Sequence, residues 1–390
     1  TYRKWYGNKE FVVNFKNDGK ELKENNYGER SPSFYFKNCL NWSKISGKFS
    51  MRIGEIGGLY DDAACQCPVK NDNDLYYILG YLNSSLSNLL LNCLSNTMNI
   101  SPGEVAKIPV IYNDNIHKSI SQLSKNSVEI SKYDWDSRES SWDFQQNELI
   151  RINGEDLEES LNLYKQFWKN KFFQIHKDEE IINYQFIETY GLKEQLTPEV
   201  QLEEISILQD ELDRKLLIKA NKRLTRDPKT RIVQNYHEIE LPFIASEIMI
   251  QFISYSVGCM LGRYSLNKEG LILANQGETL KDYLHKIEED INESKFLPDD
   301  DNIIPILDDE WFEDDIVTKF YQFLKVTYGE KNFNKNIAFI EDQICKDIRK
   351  YFINDFFPDH IKRFKKRPIY WMFSSPKGSF NALIYMHRYT

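Results

Sequence analysis

No stretch of this 390-residue chain stays apolar for the roughly 18 residues that a membrane-spanning helix needs, and no apolar block followed by small residues opens it. Neither a transmembrane helix nor a cleaved leader is expected, so the setting reads as cytoplasmic with no membrane partner. Cysteine is scarce. Cys39, Cys65, Cys67, Cys93, Cys259 and Cys345 are scattered through a long chain, which favours free thiols over a disulfide framework. Cys65 and Cys67 form a C-x-C pair, but no second Cys or His pair follows at metal spacing, so two thiols on a strand are favoured over a zinc site. Signature motifs of catalysis are missing too: there is no GxxxxGK[ST], no GxGxxG after a strand, no HExxH and no GxSxG. Pro358-Asp359 ahead of HIKRFKK lacks the second spaced carboxylate and the Lys of a metal-dependent nuclease. His176 and His285 lie in charged helical segments, where solvated or packing histidines are the rule. The acids of 299–315 lack the glycine-punctuated spacing of a calcium loop. The expectation is a chain with no catalytic residue and no metal of its own.

What remains is a globular composition, 41% hydrophobic, with a net charge of −9. That average argues against a nucleic-acid protein, but the charge is unevenly distributed. Residues 1–110 carry 13 Lys and Arg against 11 Asp and Glu, and residues 360–390 carry seven basic residues and no acid. Nine acids and no base occupy 296–317. From Leu75 to Gly103 there is no charge at all, although 28% of the chain is charged.

Periodicity divides the chain. Strand-like segments at 10–15, 33–38, 48–53 and 57–62, separated by Gly and Asn, predict a small sheet. Leu75, Ile78, Leu79, Leu82, Leu86, Leu89, Leu90 and Cys93 recur at helical spacing after Asp74, which predicts one helix whose other face carries the Asn and Ser residues. Helical patterns at 115–132 and 155–189 flank the Trp-rich turn KYDWDSRESSWDF, predicting an antiparallel helical hairpin. Further helices are expected at 245–266 and at 315–329, the latter stopped by Gly329. The acidic run 299–315 reads as loop and helix entry, and Tyr370, Trp371, Met372 and Phe373 read as core.

The fold class that follows is α+β and predominantly helical. It comprises a small mixed-sheet domain over 1–112, a helical hairpin spacer over 113–192, and a mostly helical domain over 193–390 that ends in a basic and aromatic segment. The start at Thr1 without Met, and the stop at Thr390, suggest a piece of a larger protein.

Binding chemistry is better represented than catalysis. NWSKISGKFSMRIG (41–54) places Trp42, Ser43, Lys44, Ser46, Lys48 and Arg52 close together, a mix in which cations and hydroxyls meet phosphates while Lys and Arg reach base edges. An ordinary exposed hairpin has the same composition. RKWYGN (3–8) adds Arg3 and Lys4. Asn96, Thr97, Asn99 and Ser101 offer neutral donors and acceptors that approach DNA without a charge to desolvate, and the same residue types cap helices and make turns. Lys365, Lys366, Arg367 and Lys377 surround a Ser-Ser-Pro-Lys-Gly turn suited to a phosphate.

RKWYGNKEFVVNFKNDGKEL (3–22), NWSKISGKFSMR (41–52) and LGYLNSSLSNLLLNCLSNTMNISPGEVAKIPVI (79–111) resemble the target-recognition region of large adenine-specific DNA methyltransferases, including bifunctional type II restriction–modification enzymes. ISKYDWDSRESSWDF (130–144), TYGLKEQLTPEVQLEEISIL (189–208), ELPFIASEIMIQFISYSVGCMLGRYSLNKEGLILAN (240–275) and PIYWMFSSPKGSFNALIYMHRY (368–389) look like the PglX family of BREX phage-defence systems. In that family an S-adenosylmethionine-binding domain with an Asn-Pro-Pro-Tyr-type tetrapeptide precedes these segments, and this sequence contains neither the tetrapeptide nor the Gly-rich cofactor loop. The resemblance implies that residues 1–112 help to recognise double-stranded DNA, with S-adenosylmethionine used by the parent enzyme and no cofactor in this chain. A helical module docking other BREX proteins is the alternative.

Overall fold

The structure, a computed structural model, describes residues 2–25, 32–54, 57–59, 63–94, 97, 99–289, 294–378 and 380–389. Helices dominate, accompanied by two small three-stranded sheets. The chain divides into two compact units, one comprising Thr1–Trp135 and Trp168–Pro242, the other Asp136–Phe167 and Phe243–Thr390. Among the described residues no helix is long and apolar enough to cross a membrane.

In the first unit β1 (Cys39–Ser43) lies between β2 (Arg52–Gly54) and β3 (Ala64–Pro68). Both ladders are antiparallel, with Asn41 opposite Arg52 on one side and Gln66 on the other. Among the described residues the one parallel pairing is an isolated bridge from Trp5 to Arg52. Alternation along β1 sends Leu40 and Trp42 into a core with Trp5, Phe49, Met51 and Cys65. Cys65 is buried and Cys67 half-buried on β3.

The predicted strands at 10–15 and 33–38 do not form. Phe11 and Val12 are 65% and 73% exposed, and Pro32–Phe34 is a short 3-10 turn. A β-prone run with no neighbouring strand to pair with has nothing to hold it extended. At 48–53 the strand is confined to β2, and of 57–62 only 57–59 fall among the described residues, outside any strand.

The uncharged stretch forms two helices, Leu75–Asn83 and Ser85–Leu94, because Ser84 adopts an extended backbone (ψ 159°) and its hydroxyl turns back to the Tyr81 carbonyl at 2.6 Å. Its polar residues are not simply the outer face. Asn83, Ser84 and Ser87 are buried. The Asn83 amide accepts from Met51 N at 2.9 Å and donates to Met51 O at 3.0 Å, acting as a substitute strand beside the residue that precedes β2. Asn183 accepts from Ser85 N at 2.9 Å. At Gly80 a Cβ would fall 2.5 Å from Ser124 Oγ and 2.9 Å from Ile120 Cγ2 on the helix Asp114–Asp136, which buries Ser124, Ser127 and Ser131. Small neutral residues are needed for this close packing. Charge is excluded because these positions are interior.

Helices Asp114–Asp136 and Leu157–Tyr190 match the predicted spans closely. His176, on the second, is a packing residue: it is buried, with Nε2 at 2.8 Å from Val200 O and Nδ1 at 3.2 Å from Tyr236 OH.

In the second unit the apolar helix is Ala245–Met260, shorter than the 245–266 expected, and its Phe252 meets Phe323 of the helix Ile316–Tyr328. That second helix ends at Gly329, whose φ of 79° ordinary residues adopt poorly. Asp315 caps its start, accepting from Val317 N, and receives a forked pair from Arg349 at 3.0 and 2.9 Å. Inside the acidic run β4 (Ile303–Ile306) forms an unforeseen strand, pairing with β6 (Asn381–Tyr385), which also pairs with β5 (Tyr370–Ser374). Of the four residues expected in the core, only Tyr370 is buried; Trp371 and Phe373 are 47% and 52% exposed, because alternation on an edge strand turns them outward.

Candidate nucleic-acid interface

The predicted contact residues of the first unit separate into an inner and an outer set. Arg3 is buried. Its guanidinium donates to the carbonyls of Tyr6 (2.6 Å), Ser131 (3.0 Å) and Ser206 (3.2 Å) and to Asp134 Oδ2 (2.7 Å). Lys4 is buried with its ammonium 2.6 Å from Glu179 Oε2, while Glu179 Oε1 accepts from Trp5 Nε1 at 2.8 Å. Burial works against the Lys4 charge, but Glu179 overrides it and holds the ammonium above its ordinary pKa. Arg52 donates to Asn41 Oδ1 (3.2 Å), Ser43 Oγ (3.2 Å) and Arg3 O (3.3 Å). It meets no carboxylate among the described residues, and burial together with the Arg3 charge lowers its pKa to about 10. Trp42 is fully buried, its indole N–H donating to Ile100 O at 2.9 Å. These four side chains hold the N-terminal segment, the sheet and the connector together, with none of their polar groups facing outward.

The outer set is the loop after β1. Lys44 is tied by its backbone, N to Ala63 O and O to Ile100 N, both at 2.9 Å, while its side chain forms no ion pair among the described residues. Ile45 is 70% exposed and bridges to Asn99, which brings exposed Asn99 beside the loop. Ser46 Oγ donates to Lys48 O at 2.7 Å, fixing the turn. Lys48 pairs with Glu204 at 2.6 Å, but both side chains stay well exposed, so the pair is weak and exchangeable. Thus Lys44, Ser46, Lys48 and Asn99 share one edge, with Ser43 behind them on Arg52. Asn96 lies outside the described residues.

The second unit carries the other predicted cations. Lys365, Lys366 and Arg367 are exposed ahead of β5, and Lys377 is exposed in the β5–β6 turn. His360 Nε2 accepts from both Ile369 N (2.9 Å) and Tyr370 N (3.0 Å), fixing where β5 begins. Trp371 and Phe373, expected in the core, are exposed on the strand that follows these cations. The alternation of Tyr370 and Met372 with Trp371 and Phe373 was the available signal.

No protein-family model matches the chain. An adenine-specific methyltransferase BrxX from Escherichia coli O9:H4 (strain HS) is 34% identical over 406 residues, covering 99% of this chain and 31% of that protein. An adenine-specific methyltransferase PglX from Lacticaseibacillus casei (strain Zhang) is 32% identical over 417 residues, covering all of this chain and 31% of that protein.

The chain is of the PglX/BrxX type.

It spans about a third of the length of either relative. The likeness runs through both units of the PglX/BrxX-type chain, so the outer loop of the first and the aromatic edge of the second both lie within the related span.

Proposed function

We propose that this chain is the DNA target-recognition and C-terminal portion of a site-specific adenine N6-methyltransferase of the phage-defence type, whose methyl-transfer domain lies upstream. The observation that carries the reading is the end-to-end match of both units to one third of two adenine-specific methyltransferases. S-adenosylmethionine serves the parent enzyme, and this chain alone is inactive. The described residues do not fit that cofactor: their ladders are all antiparallel, and among them no Gly-rich turn joins a parallel strand to a helix to seat it.

Double-stranded DNA is the partner. Lys44 and Lys48 position the loop on phosphates, Ser46 and Asn99 offer neutral groups to base edges, and the parent flips the adenine out for modification. Arg3, Lys4, Trp42 and Arg52 act from inside, by keeping that loop in place. The setting is cytoplasmic.

Duplex binding measured against salt tests this. Each phosphate contact removed should flatten the slope of log K against log[salt] by about 0.9, so Lys44→Ala with Lys48→Ala should flatten it by roughly 2. Absence of duplex affinity at low salt, or an unchanged slope in the double variant, sinks the reading in favour of a module that docks other components of the defence system.

A further inference from the structure

In the second unit the sheet order is β4-β6-β5, so β5 is an edge strand. Register aligns Ile303, Ile384 and Trp371 across the three strands, and next to them Pro305, Ala382 and Phe373. This face is uncharged. Two large rings stand on it two residues apart, about 7 Å along the strand, each roughly half exposed. Phe380, also exposed at 42%, continues the face beside the turn. Cations mark both ends of the strand: Lys365, Lys366 and Arg367 precede it, Lys377 follows it, and no acid occurs from His360 to Thr390. At the turn end Phe312 meets Phe380 edge-on at 6.4 Å.

A ligand for this face needs flat apolar surfaces to lie on separate rings and negative charge to reach the cations beside them. An acidic aromatic protein segment supplies both, but not at the regular spacing of one flat face and one negative charge per unit. Fully paired DNA supplies the second, but its bases are stacked on each other and present no free faces. Unpaired nucleotides supply both.

We propose that Trp371 and Phe373 form a stacking ledge for the unpaired bases of a DNA strand, with Lys365, Lys366 and Arg367 holding its phosphates. The proposal rests on the DNA reading above and extends it to strand that is locally open, the state that extruding a base from a duplex creates.

The test uses the full chain and a fluorescent oligothymidylate of about 12 nucleotides, with a duplex of equal length alongside. Native protein should bind the single strand, and its tryptophan emission should fall on binding. Trp371→Ala and Phe373→Ala should each weaken single-strand affinity about tenfold and leave duplex affinity nearly unchanged. Trp371→Phe should restore most of the loss, and unaltered melting of each variant controls for folding. Single-strand affinity equal in native and doubly substituted protein overturns the ledge, and so does self-association that the double substitution abolishes. If the ledge fails while Lys44 and Lys48 still control duplex binding, the recognition reading stands. If duplex binding also fails, both fall.

Discussion

Replacing Lys4 with Met tests whether the N-terminal cations read DNA or hold the fold. The Lys4 ammonium and the Glu179 carboxylate are both almost inaccessible, 2.6 Å apart, and among the described residues the only other donor to Glu179 is the Trp5 indole. Lys4→Met leaves a buried carboxylate with one neutral donor, which costs about 3–5 kcal/mol. Adding Glu179→Gln removes the stranded charge and still lets the side-chain carbonyl accept from Trp5, so the double variant should recover more than half of that loss. The assay is urea unfolding followed by tryptophan fluorescence at neutral pH, in which the single variant shifts the midpoint strongly and the double variant much less. The pH dependence gives a second check. Because the folded pKa of Lys4 lies above its unfolded value of about 10.4, the pair's contribution is fully present below that value and is lost only as pH rises through the folded one. The deficit of the Lys4→Met/Glu179→Gln double variant, which leaves no stranded carboxylate, should therefore be constant between pH 6 and 9. A native midpoint in Lys4→Met together with weakened DNA binding refutes the interior assignment.

Asn83→Ala removes both bonds to Met51; the carbonyl keeps the Trp5 N–H at 3.0 Å, but the buried Met51 N–H loses its partner, so a loss of about 1–3 kcal/mol is expected, and faster hydrogen exchange at Met51 should report it. Among the described residues neither carboxyl oxygen of buried Glu139 has a partner in good hydrogen-bonding geometry, and burial raises its pKa despite the Ser254 hydroxyl and the Arg363 and Arg263 charges nearby. The folded state therefore keeps a proton that the unfolded chain releases, and stability falls as pH rises from about 4.3 toward the raised value. Thermal melts of Glu139→Gln should lack that decline; parallel curves for the two proteins contradict it.

Helix content was legible because its signal is local. The spacing at 115–132 and 155–189 specifies an amphipathic face whatever the partner, and Gly329 marks a stop through its own backbone. Strands were less legible. FVV at 11–13 has strong β character but nothing to pair with, while CLNWS and ACQCP form strands on the strength of each other. The roles of Arg3 and Lys4 depend on Asp134 and Glu179, which lie 131 and 175 residues away and give no sign in the sequence of being neighbours. Cations were read as surface because they usually are. Net charge pointed away from nucleic acid, and local basic segments such as 41–54 fitted an ordinary exposed hairpin as well as DNA until the family resemblance was added.

The loop between β1 and β2 is clamped at its two ends by uncharged bonds, Trp42 to Ile100 on one side and Asn83 to Met51 on the other. Its tip touches little: Ile45 is exposed, and a side chain at Gly47 would meet only open space. Tip and clamp are thus separable, and residues 45–47 can be exchanged for other chemistries with the frame undisturbed. Such an arrangement lets a lineage change the chemistry of the loop tip by a few point changes while every buried bond stays as it is.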